Sequence, residues 1–174
     1  MTNILIFFLQ ESLNWTTKAS SGTLVVVGII AIIVQGGLIG PLVKQFGEMR
    51  LTLIGSGFIL VASTLLITAP KENAIINIYS AVSFLAVGAG LITPTLRALI
   101  SKKLDVDKQG SILSNLQGLQ SLGGVLGIAM AGRVYDSFGP KSPFIAGSVI
   151  LLFMIYLIAE GKKNSFKNQR QKEI

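Results

Sequence analysis

The chain has no cysteine and no histidine. Disulfide frameworks, Cys/His metal sites and catalysis by either residue are therefore excluded. Charge is scarce as well: 13% of the 174 residues are charged, about half of the ~25% usual in soluble domains. Acidic residues are the scarcest, 8 against 15 basic ones, for a net charge of +7. Such a surplus can suit nucleic acid. Here the basic residues sit between apolar runs and at the tail rather than on one amphipathic face, so nucleic acid is not an expected partner. A paired nucleophile and base is missing too. Ser83 and Ser121 have no histidine to activate them, so no catalytic residue, no metal, no cofactor and no enzyme activity are expected.

What the chain does have is apolar length. It is 51% hydrophobic, with 19 glycines, and its mean hydropathy is +0.67. Five runs carry no charge: Ala19–Val43, Leu51–Pro70, Asn73–Leu96, Gln109–Gly132 and Ser142–Ala159. Each is close to the ~17–25 residues that a helix needs to cross a bilayer. They do not alternate, which excludes the strands of a membrane barrel. The pattern predicts an all-α membrane protein in contact with the lipid bilayer. Its transmembrane domain covers residues 1–159, with five spanning helices at about 21–43, 51–69, 74–97, 109–132 and 142–159. Residues 3–10 are too short to span, and they lack the basic start and small-residue cleavage site of a signal peptide. They are expected to be the end of a truncated helix.

Basic residues bias the orientation. With the turn Lys44–Arg50 in the cytoplasm, Lys44, Arg50, Arg97, Lys102, Lys103, Lys108, Lys162, Lys163, Lys167, Arg170 and Lys172 fall on that side. Lys18, Lys71, Arg133 and Lys141 fall on the other. The positive-inside rule then predicts a cytoplasmic C-terminus, with residues 160–174 as a basic tail.

Side-chain periodicity separates the helices. Ile78, Val82, Leu85, Ala89, Ile92 and Leu96 form an aliphatic stripe, expected to face lipid. One step along, Tyr79, Ser83, Ala86, Gly90, Thr93 and Arg97 form a small or polar stripe, expected to face other helices. Pro94 is expected to kink this helix. In the next run, Gly110, Ser114, Gln117, Gly118, Ser121 and Gly124 cluster on one side. Uncompensated amides are costly in hydrocarbon. Asn115, Gln117 and Gln120 therefore need either interhelical partners or a watery path. Gln35, Tyr79 and Ser83 join them as substrate-cavity candidates. Gly36, Gly90, Pro94, Gly110, Ser114, Gly118, Ser121 and Gly124 are helix-packing candidates. Leu51–Thr68 and Pro143–Ala159 are apolar nearly all round and read as peripheral, lipid-facing helices.

Two stretches carry a family resemblance. "QGGLIGPLVKQFGEMR" resembles the turn between the second and third helices of one half of a major facilitator superfamily transporter, which typically reads Gly-x-x-x-Asp-Arg-x-Gly-Arg. Gly40 and Gly47 take the two glycine places, Lys44 the Asp place, and Gln45 and Glu48 the two Arg places, with Arg50 closing the turn. "GLITPTLRALIS" and "QGSILSNLQGLQSLGGVLGIAMAGRVYD" resemble the fourth and fifth helices of that half in the drug-efflux branch, tetracycline exporters included. Gly90, Pro94 and Ser101 match in the first, and Gln109, Gly110, Ser114, Ser121, Leu122, Gly127 and Gly132 in the second.

The resemblance implies the C-terminal six-helix half of the major facilitator fold, built as two inverted triplets. It implies proton- or ion-coupled export of a small-molecule substrate across a bacterial plasma (inner) membrane, with an N-terminal transporter half as partner. No Asp or Glu lies within the five runs, so a coupling carboxylate is expected in that other half, and this chain is expected to be inactive alone. The alternative is a stand-alone membrane assembly protein that docks through the same small-residue helix faces.

Overall fold

The computed structural model describes residues 17–68, 74–102, 104 and 106–172. The short segment 3–10 lies outside the described residues. Helices are the only regular elements among those described: α1 (Thr17–Ile33), a π-helical turn (Val34–Leu38), α2 (Ile39–Phe46), α3 (Glu48–Thr68), α4 (Ala74–Ser101), α5 (Val106–Phe138) and α6 (Ser142–Lys172). Among the described residues, three segments are long and apolar enough to cross a membrane: Ser21–Phe46, Glu48–Thr68 and Ile75–Ser101. Ser142–Ile158 is a shorter apolar helix. Asn115, Gln117, Gln120 and six glycines dilute the apolar character of α5, which is why it stands apart from the others.

Helices run past the charged residues that bound the apolar runs. A charge ends the favourable contact with hydrocarbon, but it leaves the backbone hydrogen-bond ladder intact. The ladder ends where the backbone reverses, and two glycines do this. Gly47 adopts φ +77° between α2 and α3, and Gly139 adopts φ +88° between α5 and α6. Both conformations favour a residue without Cβ. The Gly47 N–H donates to the Val43 carbonyl (2.9 Å) and the Gly139 N–H to that of Tyr135 (2.8 Å). Ser142 then fastens the α5–α6 corner, its hydroxyl lying 2.6 Å from the Gly139 carbonyl oxygen and 2.8 Å from that of Val134.

The π-helical turn joins α1 to α2 without a break. Its marker is the Ile39 N–H bonding to the Val34 carbonyl, five residues back. Pro41 follows within a turn. Proline brings no N–H and its ring crowds the carbonyl four residues earlier, here that of Gly37. A wider turn just upstream relieves that crowding, and Gly36 and Gly37 allow it.

The best-packed part is the α3–α4 pair. Gly55 and Gly88 meet at the crossing. A Cβ added to Gly88 would lie 2.6 Å from the Gly55 carbonyl oxygen and 2.6 Å from Ile59 Cγ1. Beside this contact the buried Thr52 and Thr95 hydroxyls join the helices, with their oxygens 2.9 Å apart. Phe58 stacks on Phe84, centroids 5.7 Å apart. One apolar cluster gathers Leu66, Ile78, Ala81, Val82 and Phe144. A second gathers Val34, Leu51 and Leu91.

Two expectations are corrected here. Leu51–Thr68 was expected to be peripheral; in the structure one face of α3 is deeply covered, with Leu51, Thr52, Gly55, Ser56, Ala62, Ser63 and Leu66 buried. The small and hydroxyl residues at 52, 55, 56 and 63 form a stripe hidden by the run's overall greasiness. The aliphatic stripe of α4 was expected to face lipid; Ile78 and Val82 are instead fully buried. The reason is that α4 is central. α1 lies against its small-residue side, and α3 and α6 cover the other.

Large apolar side chains remain bare on the outside: Ile32 is 74% exposed, Leu119 68% and Val125 69%. A water-soluble monomer does not expose apolar surface on this scale. It fits hydrocarbon or a further helix layer.

Candidate functional site

The polar candidates fall along one face of α4. Tyr79 lies at the end nearest the start of α4, its hydroxyl 3.1 Å from where a Cβ of Gly22 would stand on α1. Four residues on, the Ser83 hydroxyl donates to the Tyr79 carbonyl (2.8 Å), so its proton is used within its own helix. Gly90 is buried, with Val34 Cγ1 3.1 Å from its would-be Cβ. Gln35 of the π-helical turn stands beside it, Nε2 3.8 Å from the same point. A glycine at position 90 thus lets the turn, and the amide it carries, come against α4.

Arg97 lies seven residues beyond Gly90, about 10 Å further along the same face. There it reaches over to α5. Arg97 Nη2 donates to Gln117 Oε1 and, at 3.4 Å, to Gln120 Oε1. A guanidinium only donates, so both carboxamide oxygens turn toward it. Charge-assisted bonds of this kind are stronger than neutral ones, and they form the main polar link between α4 and α5 among the described residues. Gln109 adds a second link at the corner. Its Nε2 donates to the carbonyls of Ser101 (3.2 Å) and Leu104 (3.3 Å), capping the end of α4.

The structure therefore brings Gln117 and Gln120 together with Arg97, and Gln35 together with Gly90. Asn115 is elsewhere: two residues from Gln117, it points about 160° away around the helix axis. Arg97 is the functional candidate that sequence reasoning left among the topology charges. The signal was present, since Arg97 is the last member of the small, polar stripe of α4.

The packing candidates divide in the same way. Gly90 is in contact. A Cβ at Gly36, Gly110, Gly118 or Gly124 would meet nothing within 4 Å. Ser114 is exposed, and the exposed Ser121 donates to the Gln117 carbonyl of its own helix (3.0 Å). Pro94 sits inside α4 without ending it. In the turn, Gly40 is open and Lys44 stands in the last turn of α2, where a cation suits the helix dipole. Arg50 is exposed, and Glu48 at the start of α3 pairs with Lys102 just past the end of α4.

A cavity of about 330 Å3 opens between α5 and α6, lined by Gly123, Gly127, Phe144, Gly147 and Ile150 among others, all apolar. It offers room but no orienting group. Among the described residues no cluster of acidic groups could hold a metal ion.

The Major Facilitator Superfamily model matches residues 1–128. The chain is similar to tetracycline resistance protein class C of Escherichia coli, 26% identical over 130 residues, covering 75% of this chain and 32% of that protein. It is similar to tetracycline resistance protein class G of Vibrio anguillarum, 28% identical over 161 residues, covering 88% and 39%. It also resembles hippocampus abundant transcript 1 protein of Mus musculus, 23% identical over 131 residues, covering 75% and 26%. The chain thus spans about a third of the length of the curated relatives it matches. No solved structure matches it.

Proposed function

The chain belongs to the major facilitator superfamily, and from that premise we propose that it forms part of a secondary transporter that exports small molecules. The observation that carries this reading is the polar row along α4. Gln35 of the π-helical turn stands beside Gly90, and Gln117 and Gln120 of α5 meet Arg97 seven residues further along the same face of α4. Polar groups within membrane helices are retained where they line a path or join helices. A path between rocking helix bundles needs both.

The proposal extends to what the row lacks. It contains no carboxylate, so a proton that drives export is carried by a group outside these residues. The bare faces of α1 and α5 are where a second helix bundle would sit. The transport path then lies between that bundle and this one, and this chain alone moves nothing. The membrane is a plasma membrane with the α2–α3 turn on the cytoplasmic side, in keeping with the bias of basic residues.

Everted membrane vesicles test this. Tetracycline, for which two of the relatives are named, is the first solute to try. Vesicles holding this chain together with an N-terminal transporter half should accumulate it when a proton gradient is imposed. Vesicles holding either piece alone should not. Equal uptake with and without this chain would remove the proposal.

A further inference from the structure

We propose that Arg97, Gln117 and Gln120 form a binding site for an oxygen-bearing anion, a carboxylate or phosphate group, where the last turns of α4 meet α5. A guanidinium has five N–H donors and no acceptor. Nη2 spends its two on Gln117 and Gln120. Three remain, two on Nη1 and one on Nε, and among the described residues none has a partner. Because both carboxamide oxygens face the arginine, both amide nitrogens face away from it and add four more N–H donors. The cluster thus presents mostly donors, around a guanidinium cation.

Its complement must accept hydrogen bonds and carry negative charge. Among the described residues no carboxylate is bonded to Arg97. Among the described residues the single ion pair is Glu48 with Lys102. Asp136 lies in the last turn of α5, at the opposite end of that helix from Gln117, and neither it nor Glu160, inside α6, is paired with Arg97. An arginine serving only to tie two helices would be expected to meet a carboxylate, which neutralises the charge as well as accepting the bonds. Two neutral amides hold the guanidinium in place and leave its charge uncompensated. That arrangement fits a ligand that comes and goes. The site is open, since Arg97, Gln117 and Gln120 are all exposed.

This rests on the proposed transport role only in making the anion a cargo; binding is tested without transport. The full chain is placed in nanodiscs of phosphatidylcholine, and radiolabelled salicylate is titrated by equilibrium dialysis. Salicylamide, of nearly the same shape but neutral, is the control. Salicylate should bind saturably and salicylamide should not. R97Q should weaken salicylate binding by at least about tenfold, the scale of one charge-assisted contact. Q117E is the second variant. It places a carboxylate against Arg97, preserving the tie between the helices while neutralising the charge, and should abolish binding with helix content unchanged. R133Q, at the far end of α5, should bind as the parent does.

Adding phosphatidylglycerol identifies the source. Displacement of salicylate assigns the site to a lipid headgroup, and persistence assigns it to a solute; the anion site stands in both cases. It falls if salicylate does not bind, if salicylamide binds equally, or if R97Q and Q117E bind like the parent. A negative vesicle assay with positive dialysis removes the transport role alone, and the reverse removes this site alone.

Discussion

Gly55 of α3 and Gly88 of α4 face each other so closely that neither can carry a side chain without moving the other helix. A Cβ on Gly88 would stand 2.6 Å from the Gly55 carbonyl oxygen, and one on Gly55 would stand 3.0 Å from that of Gly88. Backbone cannot swing aside as a side chain can. Gly88→Ala should therefore destabilise the chain by about 1–3 kcal/mol, the usual cost of overpacking. Gly57→Ala, where a Cβ meets nothing within 4 Å, should be neutral or slightly stabilising. Reversible denaturation in mixed micelles reads both.

The Thr52–Thr95 contact shares two hydroxyl protons among several acceptors. Thr52 Oγ1 is 2.9 Å from the Glu48 carbonyl oxygen, and Thr95 Oγ1 is 2.7 Å from that of Leu91. One proton can serve the bond between helices and the other a carbonyl. Thr95→Val keeps the shape and removes one partner. It should cost about 0.6–1.7 kcal/mol, the range for hydrogen bonds between membrane helices. The double variant with Thr52→Val should cost less than the sum of the two singles, because no hydroxyl is left orphaned. A double-mutant cycle on unfolding free energies measures the difference.

Gly47 and Gly40 occupy the two glycine places of the turn motif, yet only one is held by conformation. Gly47 has φ +77° and ψ 157°, a region that side chains disfavour. Gly47→Ala should cost about 1–3 kcal/mol and open the turn to protease. Gly40→Ala lies in helix with open space around it. It should gain up to about 1 kcal/mol from helix propensity. Limited proteolysis and thermal unfolding separate the two.

A chain without cysteine can be mapped with single introduced thiols. Cysteines at Lys44, Lys102 and Lys167 should react with an impermeant maleimide from one side of the membrane, and one at Lys141 from the other. The pair at 102 and 141 tests whether α5 crosses; the pair at 141 and 167 tests α6. Labelling of Lys102 and Lys141 positions from the same side would show that α5 does not span.

Helix type and rough placement were legible because charge-free length is a strong signal. Where helices stop was less so. Gly47 was visible as a motif residue, whereas Gly139 was one glycine among 19, and only its backbone angle sets it apart. The crossing at Gly55 and Gly88 was hidden for the same reason. Small residues report close approach only once the facing helix is known, and those two lie 33 positions apart. Gln117 and Gln120 stood out as amides in need of partners. Their partner did not, since Arg97 is distant in sequence and a basic residue near a helix end has an ordinary explanation in topology. The cover over Ile78 and Val82 was unreadable because lipid and a neighbouring helix ask for the same aliphatic side chains.

The wide turn at Val34–Leu38 has a further effect, on phase. In an unbroken α-helix the core-facing positions after Val34 would be 38, 41 and 42. Leu38 is instead 48% exposed, and Ile39, Leu42 and Val43 close over the buried Val34. The inner end of this helix is thus dialled one residue out of step with its outer end, about 100° of rotation. Removing a single glycine from Gly36–Gly37 would hardly shorten the rod. It would turn the whole inner end like a key, carrying Ile39, Leu42 and Val43 off the Leu51 and Leu91 cluster they now pack against.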